Sequence, residues 1–111
     1  MQVIVVLGRG GSTINIACLI NNLKIMWYVY VLQSQKNKDW FYKGSTNNLK
    51  RRFFSHQNGE EKSTRPYRPF RLVYYEAYLT EKAARERESG IKRSGSVWVP
   101  LMKRIKGSLK D

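Results

Sequence analysis

The run "WYVYVLQS" at 27–34 constrains the fold more than any other stretch of the chain. Aromatic and β-branched residues dominate it and a polar turn follows, so it reads as a strand. "KNKD" joins it to a second short run, "WFYKG" at 40–44, in the manner of a hairpin. On this reading Gly44 ends the second strand, Ser45 and Thr46 start a turn, and Asn47 or Asn48 caps a helix reaching about Gln57, which "NG" terminates. Pro66 and Pro69 mark a loop before a third strand, "RLVYYEAY". Thr80 caps a second helix through about Lys92, and after "SGS" a last helix starts near Pro100, with Leu101, Ile105 and Leu109 as its apolar stripe. This order predicts an α+β fold, a small three-stranded antiparallel sheet flanked by helices.

Residues 1–25 read differently. "VIVVL" followed by "GRGGS" has the outline of a strand entering a phosphate loop, but the G-x-G-x-x-G spacing and the Lys-Ser/Thr ending are missing. No basic region precedes the apolar run, so it makes a poor signal peptide, and no apolar segment approaches the roughly 18 residues that span a bilayer. The simplest account is an N-terminal extension, disordered or the product of an upstream start, with the working domain over 26–111. The extension holds only two basic residues, Arg9 and Lys24, and no acid, so nearly all of the +13 formal charge lies beyond it. So much positive potential on a body of this size gathers polyanions, and nucleic acid is the first partner to expect. A single cysteine, Cys18, forms no internal disulfide and no Cys/His set suits zinc, which fits a reducing cytosol.

Helical spacing brings chemistry to two faces. Leu49, Arg52, Phe53 and His56 fall at i, i+3, i+4 and i+7, so a guanidinium and the only histidine sit beside an apolar stripe, while Arg51 points about 100° away. Ala84, Arg87, Glu88 and Ile91 repeat the pattern, which sets Glu88 between residues that face the sheet and turns Glu86 away from it. A carboxylate at the edge of a core is costly without a cation or metal. The plainer alternatives are that Arg52 is a surface residue touching phosphate, His56 a C-terminal helix cap and Glu88 an ion-pair partner of Arg52 or Arg87. Tyr28 and Tyr30 share one face of their strand, so one can pack while the other lends its hydroxyl to a cleft.

From Met26 onward, about three quarters of the chain, the sequence resembles a stand-alone GIY-YIG nuclease domain of the small bacterial type. "YVY" at 28–30 and "YKG" at 42–44 stand where the two motif tripeptides fall; "ST", "NLKRRFFSHQNG", "RPFRLVYYE" and "ARERESGIK" follow in family order. Tyr28 replaces the Gly of the first tripeptide and Lys43 the Ile of the second. The resemblance implies catalytic roles for Tyr30, Tyr42, Arg52, His56 and Glu88. Glu88 would hold one divalent ion, Mg²⁺ or Mn²⁺, and Arg52 would stabilise the pentavalent phosphoryl group. Tyr30 or Tyr42 would orient or deprotonate the attacking water, with Arg52, Lys43 and the ion lowering the phenol's pKa, and His56 would share the proton transfer. Lys43, Lys50, Arg51, Arg65, Arg68 and Arg93 are the candidates for tracking a nucleic-acid backbone. The implied activity is structure-sensitive or weakly sequence-selective cleavage of DNA in repair or recombination, RNA being the other polyanion to consider. The competing expectation is a binding module that uses the same basic face with little catalysis. No membrane and no obligate protein partner are called for.

Overall fold

In the computed structural model the described residues are 4–7 and 26–109, and they form strands β1 (Ile4–Leu7), β2 (Trp27–Ser34), β3 (Phe41–Thr46) and β4 (Phe70–Tyr78) and helices α1 (Leu49–Gln57), α2 (Glu81–Arg93) and α3 (Gly95–Ser108). The expected antiparallel sheet of β3, β2 and β4 is present, with β2 in the middle, and β1 adds a short antiparallel strand beyond β4. Of the N-terminal extension only β1 is described; the glycine-rich stretch that follows it and Cys18 lie outside the described residues.

Because β2 is central, both of its faces are covered. Val29 and Val31 point into a core built with Ala84, Ile91, Leu101 and Ile105 of α2 and α3. Tyr30 and Leu32 point the other way, into a smaller core with Phe70 against which Leu49 and Phe53 of α1 pack. Alternation along one strand thus assigns valines to one helical layer and the tyrosine to the other. A register shift between Val31 and Leu32 opposite β4 gives that strand one extra residue, Val73, so Val73 and Tyr74 both join the larger core.

The local signals explain the helix starts. Asn48, in an extended conformation, caps α1 by accepting from the Arg51 N–H at 3.0 Å, and Thr80 caps α2 through the Ala83 N–H at 3.1 Å. Asn58 and Gly59, at φ +76°, close α1 where "NG" was expected to. Two boundaries differ from expectation. β3 does not stop at Gly44 but runs through Ser45 to Thr46. α3 begins at Gly95 rather than near Pro100: Ser94 ends α2 and opens α3, its carbonyl accepting from Val97 and Trp98 at 3.1 and 2.9 Å. "GS" therefore occupies a first turn, where backbone donors lack intrahelical partners in any case, and Pro100 sits one turn further in.

One polar cluster lies inside the larger core. Glu76 of β4 is 2 % exposed and accepts from the hydroxyls of Tyr74 and Tyr78 and from Arg87 of α2, whose Nε reaches it at 3.0 and 3.2 Å and whose terminal nitrogen reaches it at 2.9 Å. Burial alone would raise the Glu76 pKa, but these donors outweigh it and hold the carboxyl below its ordinary value. The network pins the rotation of α2 on the sheet. Glu76→Ala, which leaves Arg87 unpaired beside the core, should lower the unfolding free energy by about 3–5 kcal/mol in urea titration; a loss under about 1 kcal/mol would mean that Arg87 simply turns out to water.

Candidate active site

Tyr30 is the hub of the smaller core's polar side. Its hydroxyl lies 2.9 Å from His56 Nε2 and accepts from Arg52 Nε at 3.3 Å. Arg52 can only donate, so the tyrosine proton is free to go to His56 Nε2, which then accepts. That choice puts the imidazole proton on Nδ1, 2.9 Å from Thr64 Oγ1, and the threonine hydroxyl donates in turn to the Glu61 carbonyl at 3.4 Å. Glu61 closes the circuit, its carboxylate pairing with the Arg52 terminal nitrogen at 2.9 Å. Every link has a donor facing an acceptor.

The electrostatics follow from burial. Tyr30 is 1 % exposed, and desolvation pushes its hydroxyl well above the usual tyrosine value of 10, more than the Arg52 hydrogen bond pulls it down. Arg52 does act on this phenol in the expected direction, but burial outweighs it, and Tyr30 is a neutral hydroxyl near pH 7. His56 is fully buried, and desolvation followed by the Arg52 charge lowers its pKa to about 4, so the imidazole is neutral near pH 7. Burial disfavours the Arg52 charge too, but the bonds to Glu61 and Tyr30 more than offset it. His56 is therefore no helix cap, because both of its ring nitrogens are committed to side chains.

Tyr42 is half-buried, its ring 4.9 Å from that of His56 and 6.2 Å from that of Tyr30. Gly44 stands opposite Tyr30 in the β2–β3 register. A Cβ there would come within 2.7 Å of the Tyr30 hydroxyl and 2.9 Å of Tyr42 Cε2, so this position carries glycine because the two tyrosines fill the space above it.

Glu88 comes from the other side of β3. One carboxylate oxygen accepts from the Ser45 hydroxyl and the other pairs with Lys92 at 2.6 Å, so its ion partner is Lys92, while Arg52 belongs to Glu61 and Arg87 to Glu76. Its negative charge still acts on the Tyr30 hydroxyl. Among the described residues no three His, Cys, Asp or Glu side chains gather into a metal cage. A lone, partly exposed carboxylate suits a hard ion such as Mg²⁺ or Mn²⁺, which keeps several waters and takes further oxygens from a substrate phosphate. Lys92 Nζ holds the oxygen such an ion would take.

The structure thus joins Tyr30, Tyr42, Arg52 and His56 directly, with Glu88 beside them. Lys43 is not brought into this group: it alternates to the opposite face and lies over the Trp98 ring, 4.0 Å from its centroid. Lys50 and Arg51 are exposed on α1, Arg93 is exposed at the end of α2, and Arg65 and Arg68 lie on the loop after α1. Glu61, Thr64 and Ser45 were missed. They act through contacts between elements; Ser45 lies in the "ST" that follows the second tripeptide, whereas no period or motif marks Glu61 or Thr64.

The family of the GIY-YIG catalytic domain matches residues 26–96, more than half of the chain. The chain belongs to that family. GIY-YIG relatives include a UPF0213 protein of Clostridium perfringens (strain 13 / Type A), 41% identical over 69 residues that cover 61% of this chain and 72% of that protein. A UPF0213 protein of Bacillus pumilus (strain SAFR-032) is 37% identical over 62 residues, 55% of this chain and 61% of that protein. This GIY-YIG domain is accordingly a member of a nuclease family, and among its described residues no helix is long and apolar enough to cross a membrane.

Folding holds His56 neutral, with a pKa of about 4 against 6.5 for the free side chain, so the unfolded state takes up the proton first as pH falls. The stabilisation is whole above about pH 6.5 and drains away toward about pH 4. Urea midpoints should drop across that window in the wild type, and His56→Gln should flatten the drop; Glu76, held below its ordinary value, adds its own loss from the ordinary glutamate range downward, at the acid end of the window and below it. Gly44→Ala should displace the Tyr30 or Tyr42 ring, visible as changed aromatic shifts around His56 by NMR, and should cost about 1–3 kcal/mol through overpacking.

Proposed function

We propose that this protein is an endonuclease that hydrolyses phosphodiester bonds of DNA with the help of one divalent ion. The observation that carries the reading is the Arg52 guanidinium, held at Nε by Tyr30 and at a terminal nitrogen by Glu61 beside the half-buried Tyr42. A fixed fork of donors next to an accessible hydroxyl is what an in-line attack on a phosphate uses. Family membership and a net charge of +13 support the same substrate class.

In the reaction, a water oxygen bonds to phosphorus, the ester P–O bond breaks, and the leaving oxygen takes up a proton. Arg52 binds the phosphoryl oxygens and stabilises the charge that builds on them. Tyr42 orients the water. Tyr30 and His56 act as positioning residues: one accepts from Arg52 Nε, the other holds the tyrosine proton, and neither carries charge at neutral pH. Glu61 keeps the guanidinium neutralised until a phosphate replaces it. Glu88 would hold Mg²⁺ or Mn²⁺, which when bound supplies Lewis acidity at the scissile phosphate. Lys50, Arg51, Arg65, Arg68 and Arg93 follow the backbone, with Lys43 at the margin, so binding is steeply salt-dependent and cutting responds to DNA structure more than to sequence. We place this work in the cytosol, in DNA repair or recombination.

The test is cleavage of labelled single-stranded, duplex, flap and branched DNA in Mg²⁺, Mn²⁺ or EDTA. Metal-dependent cutting should fall by at least about 100-fold in Arg52→Ala and be lost in Glu88→Ala, while Glu88→Ala keeps its affinity for DNA. Salt-sensitive binding without cleavage of any substrate, unchanged by Glu88→Ala, would instead favour a binding module.

A further inference from the structure

Among the described residues four cations are neutralised by carboxylates: Arg52, Arg85, Arg87 and Lys92. Three others are held in a different way: Arg65 and Arg68, past the C-terminal end of α1, and Lys36, in the turn after β2. Arg65 Nε donates to the Gly59 carbonyl at 2.7 Å, Arg68 Nε to the Arg65 carbonyl at 3.1 Å, and Lys36 Nζ to the Pro66 carbonyl at 3.4 Å. A carbonyl fixes the direction of a cation without cancelling its charge. Each guanidinium uses its inner nitrogen in this way, which leaves the terminal fork for a ligand.

Gly59 organises the pair. At φ +76° it takes a backbone conformation that side chains rarely adopt, and a Cβ on it would lie 2.5 Å from a terminal nitrogen of Arg68 and 3.3 Å from Arg65 Cγ. The Arg68 guanidinium therefore packs against the bare α-carbon while Arg65 grips the carbonyl of the same residue. The three cations line an open groove of about 460 Å³ with Gln57, Pro66 and Pro69, and no acid borders it. Gln57 stiffens its wall, accepting from the Phe70 N–H at 2.6 Å and donating to the Phe70 carbonyl at 3.2 Å. Gln57 directly follows His56, so the groove starts beside the cluster around Arg52.

We propose that this groove is a second phosphate-binding site, which holds the backbone of the nucleic-acid strand on one side of the scissile bond. The proposal rests on the nuclease reading for what lies next door, but binding alone tests it. Two prearranged, unneutralised guanidiniums and a lysine match the spaced oxygens of consecutive phosphodiesters and lose little freedom when they bind. The groove makes the protein's grip on its substrate lopsided.

The experiment measures affinity of the full chain in EDTA for a labelled forked duplex and for the same duplex shortened on either side of the fork, across a salt series. Each lost phosphate contact lowers the salt slope by about 0.9. Lys36→Gln should lower it by about 1 and the Arg65→Gln/Arg68→Gln pair by about 2, with affinity down about tenfold or more for the pair. Gly59→Ala keeps every charge and should still weaken binding at least about threefold, because it displaces the Arg68 guanidinium and crowds the stem of Arg65. Shortening one side of the fork, and only that side, should abolish the sensitivity to all of these variants. Thermal melts report folding; if Gly59→Ala does not fold, Lys36→Gln, whose side chain touches only one carbonyl, decides. Unchanged slopes in Lys36→Gln and in the arginine pair would overturn the proposal, as would displacement of the DNA by low-millimolar inorganic phosphate at constant ionic strength, which would assign the groove to a free anion. Slope changes without cleavage of any substrate would leave the groove standing and sink the nuclease reading; cleavage that needs Arg52 with unchanged slopes would do the reverse.

Discussion

The hydroxyl of Tyr30 is the atom on which the arrangement of the site depends. It accepts from Arg52 on α1 and gives its own proton to His56 one turn later on the same helix, so a central strand and a covering helix are locked together at a single oxygen. The circuit continues through Thr64 and Glu61 and returns to Arg52, which ties the loop after α1 into the same set of bonds. Such a ring is most sensitive at its buried members, Tyr30, His56 and Thr64, where removing one partner strands a buried donor or acceptor. Arg52 cannot accept, and this favours the pattern in which Tyr30 donates to His56 Nε2 and the Nδ1 proton faces Thr64.

The two faces of β2 divide the labour. The valine face builds the larger core with α2 and α3, and there the Glu76–Arg87 network sets the rotation of α2. Glu88, the next residue along, is thereby delivered to Ser45 across β3. The tyrosine face carries Arg52 and His56. On that face Gly44 lets Tyr30 and Tyr42 close over β3, because any side chain at that point would strike the Tyr30 hydroxyl. Packing on one side of the sheet thus determines the chemistry available on the other.

Period was enough to foresee that Arg52 and His56 would share a face of one helix and that Glu88 would sit at a core edge between Ala84 and Ile91. What stayed hidden arises only between elements. Glu61 and Thr64 lie in a loop with no repeat, five and eight residues beyond His56, and they matter because that loop folds back. Ser45 looked like turn material because glycine before it suggested a strand end, whereas the glycine answers to a ring on the neighbouring strand. Pro100 drew the start of α3 too late, since a proline inside a helix costs one backbone bond and a short polar link can hide a first turn. The ionisation state of Tyr30 was unreadable too: neighbouring cations argue for a lowered pKa, and only burial decides against it.

Sheet order places β3 at an outer position, with Tyr42, Gly44 and Ser45 along it. A reaction centre laid along the rim of a sheet is reached sideways. A long polymer can be laid against it at any point of its length, and neither end has to be threaded through a tunnel or fed into a blind pocket. For the hydrolysis proposed above, such an architecture favours scission within a strand over trimming from a terminus, and it lets go of both fragments by the route through which the intact strand arrived.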